Sequence, residues 1–313
     1  MSDIFDVIII GGGIASHTAA LYTARASLSP LVISGLEPDQ LSLTTLVENF
    51  PGFPEGILGP QLVDNAKTQA KKFGATYLTE VVTAFAKAGS GFDVTAGGKT
   101  YRGRSVIVAT GASARWLGVP GETQYIGRGV STCATCDAAF YRNKTTVVIG
   151  GGDSAMEEAM ALYKVATSIT IIHRKNEFRA SKIMQDRVLA LTDKIKVIWD
   201  SEVTEVIGNG TVVTGVKIKN VVTGAESEVP TDGVFLAIGH TANTKLFTGT
   251  LDLDEHGYII TNKRSQTNIS GVYAAGDVAD PIFRQAITSA GSGCQAAIEA
   301  ERYIEHLKAE GKY

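Results

Sequence analysis

The chain has little charge, little cysteine and no long apolar run. Of its 313 residues only 19% are charged, and 29 Lys+Arg against 32 Asp+Glu leave a formal net charge of -3. That balance argues against an electrostatic grip on nucleic acid or on an anionic membrane surface. No apolar stretch approaches the roughly 18 residues of a bilayer-spanning helix, so no membrane span is expected. Three cysteines are too few for a secreted disulfide framework. The opening "MSDIFDVIII" is acidic and lacks both a basic n-region and a small-residue cleavage site, so no targeting segment is expected. A cytoplasmic location is the default expectation, and a reducing compartment disfavours a persistent structural disulfide. Glycine, in contrast, is abundant at 34 residues. Tight turns and close backbone approaches in a nucleotide-binding α/β fold use glycine in this way.

One pattern occurs twice. "DVIIIGGGIASHTAALYTARAS" begins at Asp6 and "TTVVIGGGDSAMEEAMALYKVA" at Thr145. In each, a short β-branched run (Val7 to Ile10, Val147 to Ile149) meets a glycine-rich turn and then a stretch of Ala, Leu, Met and Glu at helical spacing. A second apolar run follows, "SPLVISG" or "SITIIHR". Strand, glycine turn, helix, strand is the unit of a dinucleotide site. Its first glycine makes the turn, its second admits the pyrophosphate, and a small third residue lets helix and strand pack. These positions are Gly11, Gly13 and Ser16 in the first copy and Gly150, Gly152 and Ala155 in the second. One such turn could occur in any α/β protein; two in matching contexts suggest two dinucleotides and electron transfer between them.

The second copy continues into "HRKNEFRASK". A site for NAD usually places a carboxylate there for the ribose 2′-hydroxyl. Arg174, Lys175 and Arg179 stand there instead, which suits the 2′-phosphate of NADPH; a solvated basic turn is the alternative. Further buried strands are expected in "SVIVATGASA", ending at Thr110 and Gly111, and in "GVFLAIGHTANT", ending at Gly239. Late in the chain "GVYAAGDVAD" puts Gly276 and Asp277 at a strand end before a helix, where Asp277 could hold a ribityl hydroxyl or serve as a turn or cap. The expected layout is a first domain over residues 1–113 and 245–313, interrupted by a second over 114–244.

"STCATCDAAF" spans residues 131–140 and holds Cys133 and Cys136. A structural zinc site needs four ligands, and only Cys294 and five scattered histidines remain to supply the rest. A buried apolar pair fits poorly with polar flanks. A redox dithiol is the favoured reading, because Cys-x-x-Cys closes a short disulfide loop and a helix starting there lowers a thiol pKa. Asp137 is the nearest acid–base group, with a helix cap as its structural alternative.

Together these residues resemble the low-molecular-weight thioredoxin reductases, over nearly the whole chain. The resemblance rests on "CATCD" at 133–137, "VENFPGFPEG" at 47–56, "GGGDSAMEEA", "HRKNEFRASK", "AAGDV" and "RQAITSAGSG". It implies an α/β fold of two Rossmann-like, three-layer ββα nucleotide-binding domains, with an NADPH domain inserted into an FAD domain. It also implies a homodimer. FAD contacts carry over to Gly11, Gly13, Ile14, Ala15, Gln40, Leu41, Asn49, Thr110, Gly111, Gly276, Asp277, Arg284, Gln285 and Ala286. NADPH contacts carry over to Gly150, Gly152, Asp153, Ser154, Ala155, His173, Arg174, Lys175 and Arg179. No metal is implied. Electrons would pass from NADPH through FAD to the Cys133–Cys136 disulfide, with Cys136 on the flavin side. Cys133 would then attack the disulfide of the partner, thioredoxin, while Asp137 handles protons. The inserted domain would rotate between two states on hinges near residues 113 and 244.

The chain departs from the family pattern at Ile14, Ser16, Pro38, Asp39, Lys175 and Ala242. The departures near the flavin keep two alternatives open: a reductase of the same fold with another donor, such as ferredoxin, and a non-catalytic FAD–dithiol sensor. The tail "HLKAEGKY" ends in Tyr313, expected to be a disordered terminus or, alternatively, an aromatic stacked near the flavin.

Overall fold

Apolar β-branched runs followed by glycine and helix formers build two parallel sheets in this chain. A computed structural model describes residues 4–44 and 46–313. Residues 1–3, on which part of the reading of the chain start rests, lie outside the described residues. The chain divides into two compact units: Met1–Ser113 with Thr241–Tyr313, and Ala114–His240. Short strands Ala112–Ala114 and His240–Ala242 pair with each other where the chain passes between them.

In the first unit, Ile4–Ile10 runs parallel to Pro30–Ile33 on one side and Lys99–Val108 on the other. Val272–Ala274 joins Lys99–Val108 in parallel, and Thr76–Leu78 extends the other edge. Side chains alternate along a strand, so the run is buried on both faces. Val7 and Ile9 face the helices Ile14–Arg25 and Ala286–Ala309 across a seam of Ala15, Ala19, Ala20, Ala296, Ala297 and Ala300. Ile8 and Ile10 face the opposite layer with Phe92, Val94 and Phe247. Part of that layer is the antiparallel pair Val82–Ala88 and Gly91–Ala96, which continues onto the N-terminal half of Lys99–Val108.

The second unit repeats the plan. Its parallel sheet runs Val130–Ser131, Gly233–Leu236, Thr145–Ile149, Ser168–Ile172, Ile195–Ile198. Val148 faces the Asp153–Tyr163 helix through Ala155, Met156, Ala159 and Leu162. Val147 and Ile149 face Val203, Val206, Val216 and Ile218 of an antiparallel sheet spanning Ser201–Gly208, Val213–Asn220 and Glu226–Pro230. Both units are therefore three-layer ββα bodies of Rossmann-like type. Among the described residues, no helix is long and apolar enough to cross a membrane.

Tyr313 corrects both expectations for the tail. Its hydroxyl donates to Asp6 Oδ1 at 2.7 Å, and its ring lies under the Arg104 guanidinium at 3.8 Å. Asp6 also accepts from the Ser29 N–H and hydroxyl, at 2.9 and 3.0 Å. The terminus is thus bonded toward the N-terminal end of the Ile4–Ile10 strand, the end opposite the Gly11 turn.

The helix seam has a measurable consequence. A Cβ at Gly293 would lie 2.3 Å from the Ala15 carbonyl oxygen, so any side chain there pushes the C-terminal helix off the first helix. Gly293→Ala should cost about 1–3 kcal/mol by overpacking. Its thermal unfolding midpoint should fall below that of the wild type, and an unchanged or raised midpoint would contradict this packing.

Candidate functional site

In each unit a glycine turn joins a parallel strand to a helix, and the two are built alike. The Gly11 N–H donates to the Ile33 carbonyl at 2.9 Å, and the Gly150 N–H to the Ile172 carbonyl at 3.2 Å. Gly11 has φ +134 and Gly150 φ +151, a region side chains rarely adopt. A Cβ would meet the carbonyl oxygen of Ala109 at 2.0 Å in the first and of Ala237 at 2.4 Å in the second. Gly13 and Gly152 then cap the helices in extended conformation, with no side-chain cap in either. That leaves first-turn N–H groups for an anion. Among the described residues, a Cβ at Gly13 would meet only Asp39 Cβ, at 3.8 Å, and one at Gly152 only Arg179 Nη2, at 3.6 Å. Both turns therefore fit a pyrophosphate approaching the backbone. In the first helix Ile14 and Ala15 are buried in the opening turn, as is Ser16, whose hydroxyl donates to the Ala109 carbonyl at 3.4 Å. Ser16 is thus accommodated by a hydrogen bond where a smaller residue was expected.

Around the first turn the structure gathers residues distant in sequence. A Cβ at Gly276 would lie 3.0 Å from Ala15 Cβ, which places the Gly276–Asp277 strand end beside the first helix. Asp277 accepts from the Ser289 hydroxyl at 2.8 Å; burial pushes its carboxyl above the ordinary value, against that hydrogen bond. Asn49 Nδ2 donates to Gln285 Oε1 at 3.3 Å, joining the 47–56 segment to the start of the Ala286–Ala309 helix. Gln285 caps that helix in a reciprocal capping box with Thr288. Arg284 has φ +49, in a turn whose N–H groups at 282, 283 and 284 all donate to Asp280. Thr110 and Gly111 follow the Lys99–Val108 strand, where the Thr110 hydroxyl donates to the Asn243 carbonyl at 2.8 Å. Gln40 leads into the short 3-10 turn Leu41–Leu43. Asp39 caps it by accepting from the N–H groups of Leu41 and Ser42, at 3.0 and 3.2 Å. The carboxylate thus fixes this turn.

The basic loop of the second unit is tied to its glycine turn. The N–H groups of Arg179 and Ala180 donate to the Gly151 carbonyl at 2.7 and 3.0 Å. Asp153 accepts from the N–H and hydroxyl of Ser181, both at 2.8 Å. Arg174, Lys175 and Arg179 are exposed, while Phe178 between them is buried. His173 fills the space over Gly151 and rests against Phe178 and Trp199, with centroids at 5.6 and 6.2 Å. Burial, helped by the neighbouring cations, holds its pKa below the ordinary value, against a backbone hydrogen bond at Glu177. Its buried Nε2 has no hydrogen-bond partner among the described residues, which fits a site completed by a ligand.

Cys133 and Cys136 form a disulfide with Cα atoms 5.4 Å apart. The pair straddles one turn of helix, Ala134–Asp137, with Cys133 as its cap. The Cys136 N–H donates to Cys133 Sγ at 3.2 Å and the Cys133 N–H to the Ser131 hydroxyl at 3.1 Å. Burial pushes the Asp137 carboxyl above its ordinary value, against a hydrogen bond from Ser131. Cys294 stands apart on the C-terminal helix as a free, half-buried thiol. Among the described residues no cluster could hold a metal.

Two neighbours of the dithiol escaped the sequence reading. Ser131 touches both Cys133 and Asp137. Glu158, on the Asp153–Tyr163 helix, accepts a hydrogen bond from the Ala134 N–H. The "STC" spacing could have pointed to Ser131; Glu158 is 24 residues away and carries no local signal.

The sequence pattern of the pyridine nucleotide-disulphide oxidoreductases matches residues 5–293, and the chain belongs to that family. Among its relatives are thioredoxin reductases. One from Streptomyces coelicolor is 51% identical over 100% of this chain and 98% of its own. A bifunctional thioredoxin reductase/thioredoxin from Mycobacterium leprae is 50% identical over 97% of this chain and 67% of its own. The crystal structure of thioredoxin reductase from Streptococcus pyogenes superimposes with a TM-score of 0.93 at 40% identity, covering 98% of this chain and 100% of that one.

The state of Asp137 sets a pH signature. Its raised pKa means the folded chain holds a proton that the unfolded chain has already released. Its contribution to stability is full below the ordinary carboxylate pKa and is lost as pH rises through the folded value. Asp137→Asn removes this loss. The variant should match the wild type in thermal stability at acid pH and exceed it increasingly toward neutrality; a gap that is constant or reversed would contradict the burial of the charge.

Proposed function

We propose that the chain is a thioredoxin-disulfide reductase that passes electrons from NADPH through FAD and the Cys133–Cys136 dithiol to thioredoxin. The observation that carries this reading is the disulfide one turn of helix long, in a unit that also holds a glycine turn and a basic loop. When bound, NADPH supplies a hydride and FAD relays two electrons to the disulfide.

The chain's own residues do the rest. Gly11 to Ala15 and Gly150 to Ala155 seat the two pyrophosphates. Asp153 and Ser154 open the second helix beside one of them. Arg174, Lys175 and Arg179 take the 2′-phosphate, which selects NADPH over NADH. Asp277, Gln285 and Asn49 hold polar groups of the flavin. Reduction of the pair breaks the Sγ–Sγ bond and adds two electrons and two protons. Asp137 keeps its proton to higher pH than an ordinary carboxyl, so it can deliver one to a leaving sulfur and take it back. The Cys133 thiolate then attacks the thioredoxin disulfide, and Cys136 displaces the reduced product from the mixed disulfide. The name of the bifunctional Mycobacterium leprae relative, in which reductase and thioredoxin are one protein, supports that partner.

Steady-state reduction of thioredoxin tests the scheme. Cys136→Ser should reduce turnover to background, and turnover near the wild-type rate would refute the dithiol route. A charge-assisted hydrogen bond is worth about 1.5–3 kcal/mol. Arg179→Ala should therefore raise the KM for NADPH about tenfold or more while leaving that for NADH nearly unchanged. An equal change in both would remove the basic loop from cofactor choice.

A further inference from the structure

The peptide next to Cys133 is held from outside its own helix. The buried residue Ala134 donates its N–H to Glu158 Oε2, on the neighbouring Asp153–Tyr163 helix. The half-buried carboxylate thus reaches the first peptide of the Cys-x-x-Cys turn. Backbone amides and cations near a cysteine stabilise its thiolate. Here Cys133 Sγ receives the Cys136 N–H, while the Ala134 N–H is committed to the carboxylate. Asp137 adds a second carboxyl at the other end of the turn, so Glu158 does not act in a neutral setting.

We propose that Glu158 is a positioning residue of the dithiol: it fixes the Ala134 peptide and places a negative charge that sets the Cys133–Cys136 couple toward strong reduction. This rests on the redox role of the pair given above. The couple is one disulfide, two electrons and two protons on one side and two thiols on the other. A fraction of the reduced product is thiolate, and a carboxylate at the adjacent peptide makes that thiolate costlier. A couple whose reduced form is stabilised becomes an oxidant. Glu158 acts in the reverse sense, which suits a pair that must hand electrons to another disulfide.

Glu158→Gln separates charge from geometry, since a carboxamide oxygen can still accept from the Ala134 N–H. The full chain with its flavin is equilibrated anaerobically in buffers of reduced and oxidised dithiothreitol. The reduced fraction is then read by alkylation and mass of the peptide carrying both cysteines. Glu158→Gln should shift the equilibrium toward the dithiol about tenfold, a rise in potential of roughly 30 mV for this two-electron couple. Alkylation of reduced Cys133 at neutral pH should accelerate by a similar factor. Glu158→Asp keeps the charge and should titrate with the wild type, so the proposal stays testable if the Gln variant does not fold. A Gln variant that titrates with the wild type, or an Asp variant shifted as far as the Gln one, would overturn it. A shift in Glu158→Ala alone would show that only peptide geometry matters and would overturn it too. If the wild-type pair does not open across the whole range, the redox reading and this proposal fall together.

Discussion

At the two turns that open the Ile14–Arg25 and Asp153–Tyr163 helices, a backbone carbonyl stands where a side chain would otherwise be. The oxygen of Ala109 lies 2.0 Å from a Cβ built on Gly11, and that of Ala237 lies 2.4 Å from one built on Gly150. Neighbouring parallel strands leave so little room that only glycine turns the chain at these points, and it does so at positive φ. The rest of each unit depends on that turn. It brings a helix down against the sheet with its first amides uncapped, at the end of the sheet where the strand ends converge. Loosening either turn would move every candidate contact in its unit.

The second unit adds a dithiol to this frame. The strand Thr145–Ile149 and the Asp153–Tyr163 helix form its glycine turn, and the same helix reaches the Cys-x-x-Cys peptide through Glu158. One helix therefore serves both a candidate phosphate site at its start and the redox pair in its second turn. The arrangement is economical for a unit that keeps a candidate phosphate site and a disulfide within one small body. It also explains why the pair needs no long loop: one turn of helix brings the Cα atoms to 5.4 Å, within the range a disulfide spans.

Much of this was legible in the chain. Val7 to Ile10 and Val147 to Ile149 read as buried parallel strands because β-branched runs too short for helices leave no other choice. The repeated order of strand, glycine turn and helix then implied Rossmann-like bodies. The resemblance implied a second β layer in each unit, but its strands were not read from the residues, because strands such as Val82–Ala88 are largely exposed and lack a clean alternation. Glu158 and Tyr313 were not placed, because each acts through a contact that topology alone creates, 24 and 307 residues away. Pro38 and Asp39 stood out as departures, but composition could not show that Asp39 would cap the turn at Leu41 and Ser42. Cysteine spacing suggested a redox pair; the charge beside it depends on packing between two helices.

The central claim is that electrons enter as NADPH and leave through Cys133 and Cys136. An anaerobic titration with NADPH, following the oxidised flavin absorbance and counting thiols in the 131–140 segment, tests it in one measurement. The account predicts that the flavin bleaches and that two new thiols appear at Cys133 and Cys136. A flavin spectrum that stays oxidised at saturating NADPH would contradict it.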